Sequence, residues 1–284
     1  MDKASFLNAL RSDTTLDLYS LYRQVGEDIS LYSLLDALTA LKDEHGLETR
    51  LSAFKTQIER LLESSELAGD DPMSQRRLIA RLELEQRGHS MSRYILATEG
   101  HRHFTPKADL VMFGDSITEW GPWLDALRTY SLVNRGIAGD TTAGMLRRID
   151  TSLKIHPKLV CVMAGINDLA QGYSVSEVFA QYKEMLDTWR GYGIDIIVQS
   201  TLYGGERLIG LNVMVTELNQ LLKAYCQTHA LRYLDINAVL APEQILLNEF
   251  SCDDLHLTAS AYVKWLAILE PELEKSDLSS RKIG

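Results

Sequence analysis

From residue 108 onward the chain alternates short apolar runs with helical stretches, and that alternation limits the fold more than any other feature. The runs are Ala108–Phe113, Leu132–Asn134, Leu159–Met163, Ile194–Gln199 and Leu231–Leu234. Leu159–Met163 reads Leu-Val-Cys-Val-Met, without the alternate polar positions of a strand that has one wet face. Helical spacing fills the intervals, over Glu119–Thr129, Thr142–Leu153, Ser176–Arg190, Asn212–His229 and Thr258 to Leu273. Five such strands separated by helices predict a parallel sheet covered on both faces.

Before this region, to about residue 100, the pattern is helical throughout. Leu16, Tyr19 and Tyr22 recur at helical spacing, as do Leu18, Leu21 and Val25. Further stripes run through Leu31, Leu34, Leu35, Leu38 and Leu41, then Leu47, Leu51, Phe54, Ile58, Leu61 and Leu62. A breaker cluster, Gly69-Asp70-Asp71-Pro72, opens a last helix that the pattern carries to about Thr98. The expected division is therefore an all-α region over residues 1–104 and an α/β domain over 105–284. The helical region is open to three readings: an accessory domain, an oligomerisation module or a partner platform. Homo-oligomerisation is favoured because closed homo-oligomers are common. No clean heptad is sustained, which argues against a long coiled coil.

Charge narrows the partners. The 284 residues carry a formal net charge of −10, which disfavours nucleic acid or an anionic membrane surface. The N-terminus lacks the pattern of a signal peptide, and no apolar run reaches the roughly 18 residues of a membrane helix. Cys161, Cys226 and Cys252 are widely spaced and odd in number, so reduced thiols in a cytoplasmic protein are expected.

Four motifs fall at strand ends or just before a helix, where a doubly wound sheet collects its reactive groups. Phe113-Gly114-Asp115-Ser116-Ile117-Thr118 follows the first run. Ser116 there is either an exposed hydroxyl beside a helix N-terminus or simply that helix's cap. Gly136-Ile137-Ala138-Gly139-Asp140-Thr141-Thr142 follows the second; Gly139 lets the backbone approach a ligand, or merely turns the chain. Asn167, in Ala164-Gly165-Ile166-Asn167-Asp168, offers a side-chain amide to an oxyanion or bonds its own turn. Asp253-Asp254-Leu255-His256-Leu257-Thr258 pairs a carboxylate with a histidine three residues on, which suits a catalytic base or a capped surface loop.

In this order the four blocks resemble the SGNH (GDSL-type) hydrolases, named for the residues that read here as Ser116, Gly139, Asn167 and His256. The likeness covers about residues 108–273. It is nearest the platelet-activating factor acetylhydrolase catalytic subunits and their bacterial esterase relatives in Gly136–Thr142 and Leu255–Thr258, and departs from those subunits around Asn167. The resemblance implies a flavodoxin-like three-layer α/β/α fold with a five-stranded parallel sheet. It implies Ser116 as nucleophile, His256 as base and Asp253 as orienting acid, with Asp254 the competitor. The oxyanion would be held by the backbone N–H groups of Ser116 and Gly139 and the Asn167 amide. No metal or organic cofactor is implied.

The expected activity is hydrolysis of a short acyl ester, acetyl foremost, of a glycan, lipid or small metabolite. Acyl transfer, thioester cleavage and lysophospholipid hydrolysis use the same site chemistry, and a binding protein on a vestigial hydrolase fold is the alternative of another class. Trp120 and Trp123 are read as either acyl-pocket lining or core. Asp115 and Asp168 are read as loop braces, and Arg147 and Arg148 as a solvated helix face. His101 and His103 lack a third metal ligand.

Overall fold

The computed structural model describes residues 31–40, 55, 58–59 and 92–278. The chain divides into two compact units, residues 1–87 and 88–284. In the first, helix α1 spans Leu31–Thr39 and buries Leu34 and Leu38, the i and i+4 positions of the expected stripe. Ile58 is buried as well. The stripes expected over residues 16–25, most of 47–62 and the start of the helix after Pro72 lie outside the described residues.

The second unit is built on five parallel strands, β1 (Leu110–Gly114), β2 (Leu132–Gly136), β3 (Leu159–Met163), β4 (Asp195–Gln199) and β5 (Arg232–Leu234). They pair in the order β2-β1-β3-β4-β5, the flavodoxin-like arrangement. Every residue of β1 and β3 is buried, as their unbroken apolar runs require.

The helices of this unit are α2 (Ser92–His103), α3 (Ser116–Glu119), α4 (Trp123–Ala126), α5 (Thr142–Arg147), α6 (Asp150–Leu153), α7 (Ile166–Ala170), α8 (Val175–Gly191), α9 (Asn212–Thr228), α10 (Asn237–Leu240) and α11 (Ala259–Glu274). The long ones agree closely with the periodicity. Two expected single helices are instead broken. The stretch expected over Glu119–Thr129 starts earlier and splits into α3 and α4, because Gly121-Pro122 interrupts it and Pro122 caps the second piece. The stretch over Thr142–Leu153 splits where Arg148 turns inward.

Helix α2, which the pattern grouped with the helices before it, lies within the second unit. Its Tyr94 hydroxyl donates to the Gly144 carbonyl at 2.9 Å, and Arg102 pairs with Asp150 at 3.2 Å. The core carries three fully buried tryptophans, Trp123, Trp189 and Trp265, each with its indole N–H bonded: to the Thr118 carbonyl, to Ser152 Oγ and to Gln199 Oε1.

The end of β2 passes close to α3. A methyl group on Gly136 would overlap the Glu119 backbone nitrogen and stand 2.5 Å from its Cα. Backbone on both sides cannot yield as a side chain can. Gly136→Ala is therefore expected to cost about 1–3 kcal/mol by overpacking, seen as a lower urea midpoint.

Candidate active site

Ser116 is the first residue of α3, directly after β1. Its neighbour Asp115 is the helix cap, with Oδ1 accepting the Ile117 N–H at 3.0 Å. The capping role open to Ser116 in the sequence therefore falls to Asp115, and the serine hydroxyl is left for another partner. That partner is His256, whose Nε2 lies 3.1 Å from Ser116 Oγ across 140 residues of chain. On the far side of the ring, Nδ1 is 2.6 Å from Asp253 Oδ2. The carboxylate fixes the tautomer: Nδ1 carries the hydrogen and Nε2 is the acceptor for the serine hydroxyl.

The Asp253–His256 loop is tightly organised. Asp253 Oδ1 accepts the backbone N–H groups of Leu255 and His256 at 3.1 and 2.7 Å. Ser251 Oγ donates to the His256 carbonyl at 2.9 Å. Partial burial works against the Asp253 charge, but the His256 ring and the two backbone donors outweigh it and hold the carboxyl down at about 2. Asp254, the competitor for the orienting role, faces elsewhere. It takes a left-handed backbone, φ 67°, and its carboxylate binds Arg207 Nε at 2.5 Å and the Arg207 N–H at 3.2 Å. Its carbonyl accepts the Gly205 N–H at 2.7 Å. The loop after β4 thus braces the histidine loop. That loop is itself held by three asparagines, Asn212, Asn219 and Asn237, whose amides bond backbone between residues 201 and 204.

Helix α11, immediately after the histidine loop, fixes its position. The Tyr262 hydroxyl donates to the Ile117 carbonyl at 2.7 Å, one residue from the serine. Tyr262 and Trp265 also pack edge-on against Trp123.

Gly139 stands in a turn closed by the Asp140 N–H on the Ile137 carbonyl at 3.1 Å. Its φ is +80°, which L side chains rarely adopt, and nothing lies within 4 Å of where a Cβ would be. Thr141 caps α5 through the Gly144 N–H. Asn167 does not bond its own turn: its Nδ2 reaches the Asp140 carbonyl at 2.9 Å and ties the loop after β3 to the loop after β2. An amide has two donors, so one remains for a ligand. Asp168 adds a second tie, accepting the Thr142 N–H at 3.0 Å and the Thr142 hydroxyl at 2.5 Å.

Arg148 was expected on a solvated face and is instead fully buried, whereas Arg147 is exposed. Its Nε meets Asp140 Oδ2 at 2.6 Å, Nη1 the Arg135 carbonyl at 2.6 Å and Nη2 the Gly114 carbonyl at 2.9 Å. The guanidinium also lies 4.4 Å over the Phe113 ring. Residue order does not separate the two, since adjacent arginines on a short helix both look like surface. Trp120 and Trp123 divide between the two readings open to them. Trp123 is core, while Trp120 is half exposed with its ring 4.4 Å from the His256 ring. His101 does not pair with His103 as a chelate; burial first, then Arg135 and Arg148, push its pKa down to about 3. Among the described residues no group of three or more His, Cys, Asp and Glu is arranged to hold a metal ion. The three thiols are unpaired.

A sequence model described as the GDSL-like Lipase/Acylhydrolase family matches residues 112–264, more than half of the chain. The chain belongs to the GDSL-like lipase/acylhydrolase family. Among solved structures it is similar to a GDSL-like lipase from Bacteroides thetaiotaomicron, at 23% identity and TM-score 0.58, over 64% of this chain and 97% of that one. It is also similar to the acetyl xylan esterase AlAXEase, at 17% identity and TM-score 0.51, over 58% and 98% of the two chains. An N-acylneuraminate cytidylyltransferase of Streptococcus agalactiae serotype V is 29% identical over 164 residues, 57% of this chain. The chain spans 38% of that protein's length.

In this family member two buried carboxyls carry a pH signature. Burial raises Asp115 and Asp168 to about 7, against their own hydrogen bonds. The Thr142 hydroxyl lies between Asp168 Oδ1 at 2.5 Å and Gln181 Oε1 at 2.6 Å. With folded values raised above the unfolded value of about 3.9, the native state holds protons that the unfolded chain has released. Stability is therefore greatest at low pH within this window and declines as pH rises from about 4 towards 7. Urea midpoints measured from pH 5 to pH 8 are expected to fall, and Asp168→Asn is expected to flatten that slope.

Proposed function

We propose that this chain is a serine esterase that hydrolyses short acyl esters, acetyl foremost, through an acyl-enzyme on Ser116. The observation that carries the reading is the continuous relay from Ser116 Oγ to His256 Nε2 at 3.1 Å and from His256 Nδ1 to Asp253 Oδ2 at 2.6 Å. His256 removes the hydroxyl proton as Ser116 Oγ attacks the acyl carbonyl, and Asp253 stabilises the imidazolium that results. The same proton then passes to the departing alcohol oxygen as the ester C–O bond breaks. Water, deprotonated by His256, attacks the acyl-enzyme, and the carboxylic acid leaves with Ser116 restored.

Negative charge on the carbonyl oxygen needs donors fixed before the reaction. The Ser116 N–H at the start of α3, the Gly139 N–H and the second amide hydrogen of Asn167 fill this role in the reading. Support comes from the bond between Asn167 and the Asp140 carbonyl, which holds two of the three donors in neighbouring loops. A glycan acetyl ester is favoured within the substrate class. An acetyl xylan esterase shares the fold, and a sequence relative is named for an N-acylneuraminate. For residues 1–104 the leucine-rich helical spacing supports self-association of the chain; a monomer in sedimentation would contradict that.

The deciding experiment is hydrolysis of p-nitrophenyl esters of rising acyl length. The acetate is expected to be fastest, Ser116→Ala to abolish turnover, and an organophosphonate probe to label the wild type only. Rates that rise with chain length would remove the short-acyl reading, and activity retained in Ser116→Ala would remove the nucleophile. Asn167→Ala is expected to lower kcat by about 10²–10³ with a smaller effect on KM. Asp253→Asn is expected to lower kcat by about 10⁴, as loss of the orienting acid does in such triads.

A further inference from the structure

Among the described residues Trp120 is the large aromatic side chain that packs against the relay, and the proposed acyl chemistry gives it no task. It ends α3, its backbone N–H donating to the Ser116 carbonyl at 3.0 Å, so its indole stands one turn from the nucleophile. The side chain is 49% exposed, although Trp123 three residues later is fully buried. Its ring centroid is 4.4 Å from that of His256, with the planes inclined by 46°.

The order of proton transfers decides which half of an ester meets this indole. The carbonyl oxygen turns towards the donors around Gly139 and Asn167. The alkoxy oxygen must come within hydrogen-bond reach, about 3 Å, of His256 Nε2 to receive its proton. The alcohol that carries that oxygen therefore lies along the imidazole, and the indole beside the imidazole is the apolar surface it meets. About half of that surface stays in water. A half-exposed aromatic face suits a ring that is apolar on one face and hydroxylated at its edge, because the hydroxyls keep their water while the C–H face covers the indole.

Resting on the serine mechanism above, we infer that Trp120 forms a leaving-group subsite for a cyclic polyol, a pyranoside that carries the acyl ester. Its C–H face covers the indole and its remaining hydroxyls stay towards water. Trp120 thereby sets the preference for the alcohol, while the acyl group is read on the other side of the serine.

The test compares a mono-O-acetyl methyl pyranoside with ethyl acetate, which shares the acyl group and lacks the ring. In the wild type kcat/KM is expected to favour the pyranoside. Trp120→Ala is expected to reduce that preference about tenfold, mainly through KM, and Trp120→Phe to restore most of it. A ratio unchanged in Trp120→Ala would overturn the subsite, whether both rates fall together or neither moves. Equal loss on both esters, with a shifted pH profile, would assign the indole to the imidazole alone. Phosphonate labelling separates the two layers: a variant that still labels at Ser116 yet shows no change in preference defeats the subsite, whereas wild type that does not label defeats the serine mechanism.

Discussion

The guanidinium of Arg148 joins the C-terminal ends of two adjacent strands to the loop that follows one of them. It bonds the last carbonyl of β1, a carbonyl of β2 and the Asp140 carboxylate, all within 2.6–2.9 Å. The first of these lies two residues before Ser116, and the last lies one residue after Gly139. A buried charge is tolerated only when its partners are complete, because desolvation costs several kcal/mol and one lost partner leaves the rest uncompensated. The planar fork of arginine can serve three acceptors in fixed directions, which a lysine could not. The turn at Ser116 and the loop at Gly139 thus share one anchor below the surface.

Above that anchor the loops are tied to one another rather than to solvent. Asn167 bonds the Asp140 carbonyl, and Asp168 bonds Thr142, so the loops after β3 and β2 are tied together at two points. The histidine loop comes from the other end of the chain and is held on two sides. Helix α11 reaches the serine turn through Tyr262, and the loop after β4 grips Asp254 through Gly205 and Arg207. The second contact explains the left-handed backbone of Asp254. Strain in that residue is offset by the bonds that its carboxylate and carbonyl make, and Asp253 is thereby turned towards His256. A methyl on Gly205 would stand 2.5 Å from Asp254 Oδ1, so the approach requires glycine there.

The site is consequently braced around Ser116 and Gly139 and open beside Trp120. Ser116 is buried, while Trp120 and part of the Asp253 carboxylate face water. Burial raises the Asp115 and Asp168 carboxyls to about 7, which favours their neutral forms in mildly acidic solution. Asp253, held down at about 2, is the charged carboxylate bonded to the imidazole.

Much of this was legible from residue order. The unbroken apolar runs of β1 and β3 identify strands buried on both faces, since a wet face would need alternate polar positions. Their alternation with helices leaves a parallel sheet as the consistent arrangement, and turn chemistry puts Ser116, Gly139 and Asn167 at strand ends. Asp253 and His256 are three residues apart, so their pairing is local and visible. The rest depends on distance in space. Arg147 and Arg148 look equivalent in sequence, yet one is in water and the other in the core, because only Arg148 faces the carbonyls that end β1 and β2. Trp120 and Trp123 likewise differ through the break at Gly121-Pro122, which turns one indole towards His256 and the other into the core. Sequence determined the layers and where Ser116, Gly139 and Asn167 fall relative to the strands, because periodicity and local turns are short-range. Tertiary structure alone decided which charges and rings are buried, because burial depends on partners from other elements, up to 34 residues away for Arg148 and more than a hundred for the rings of Trp120 and Trp123.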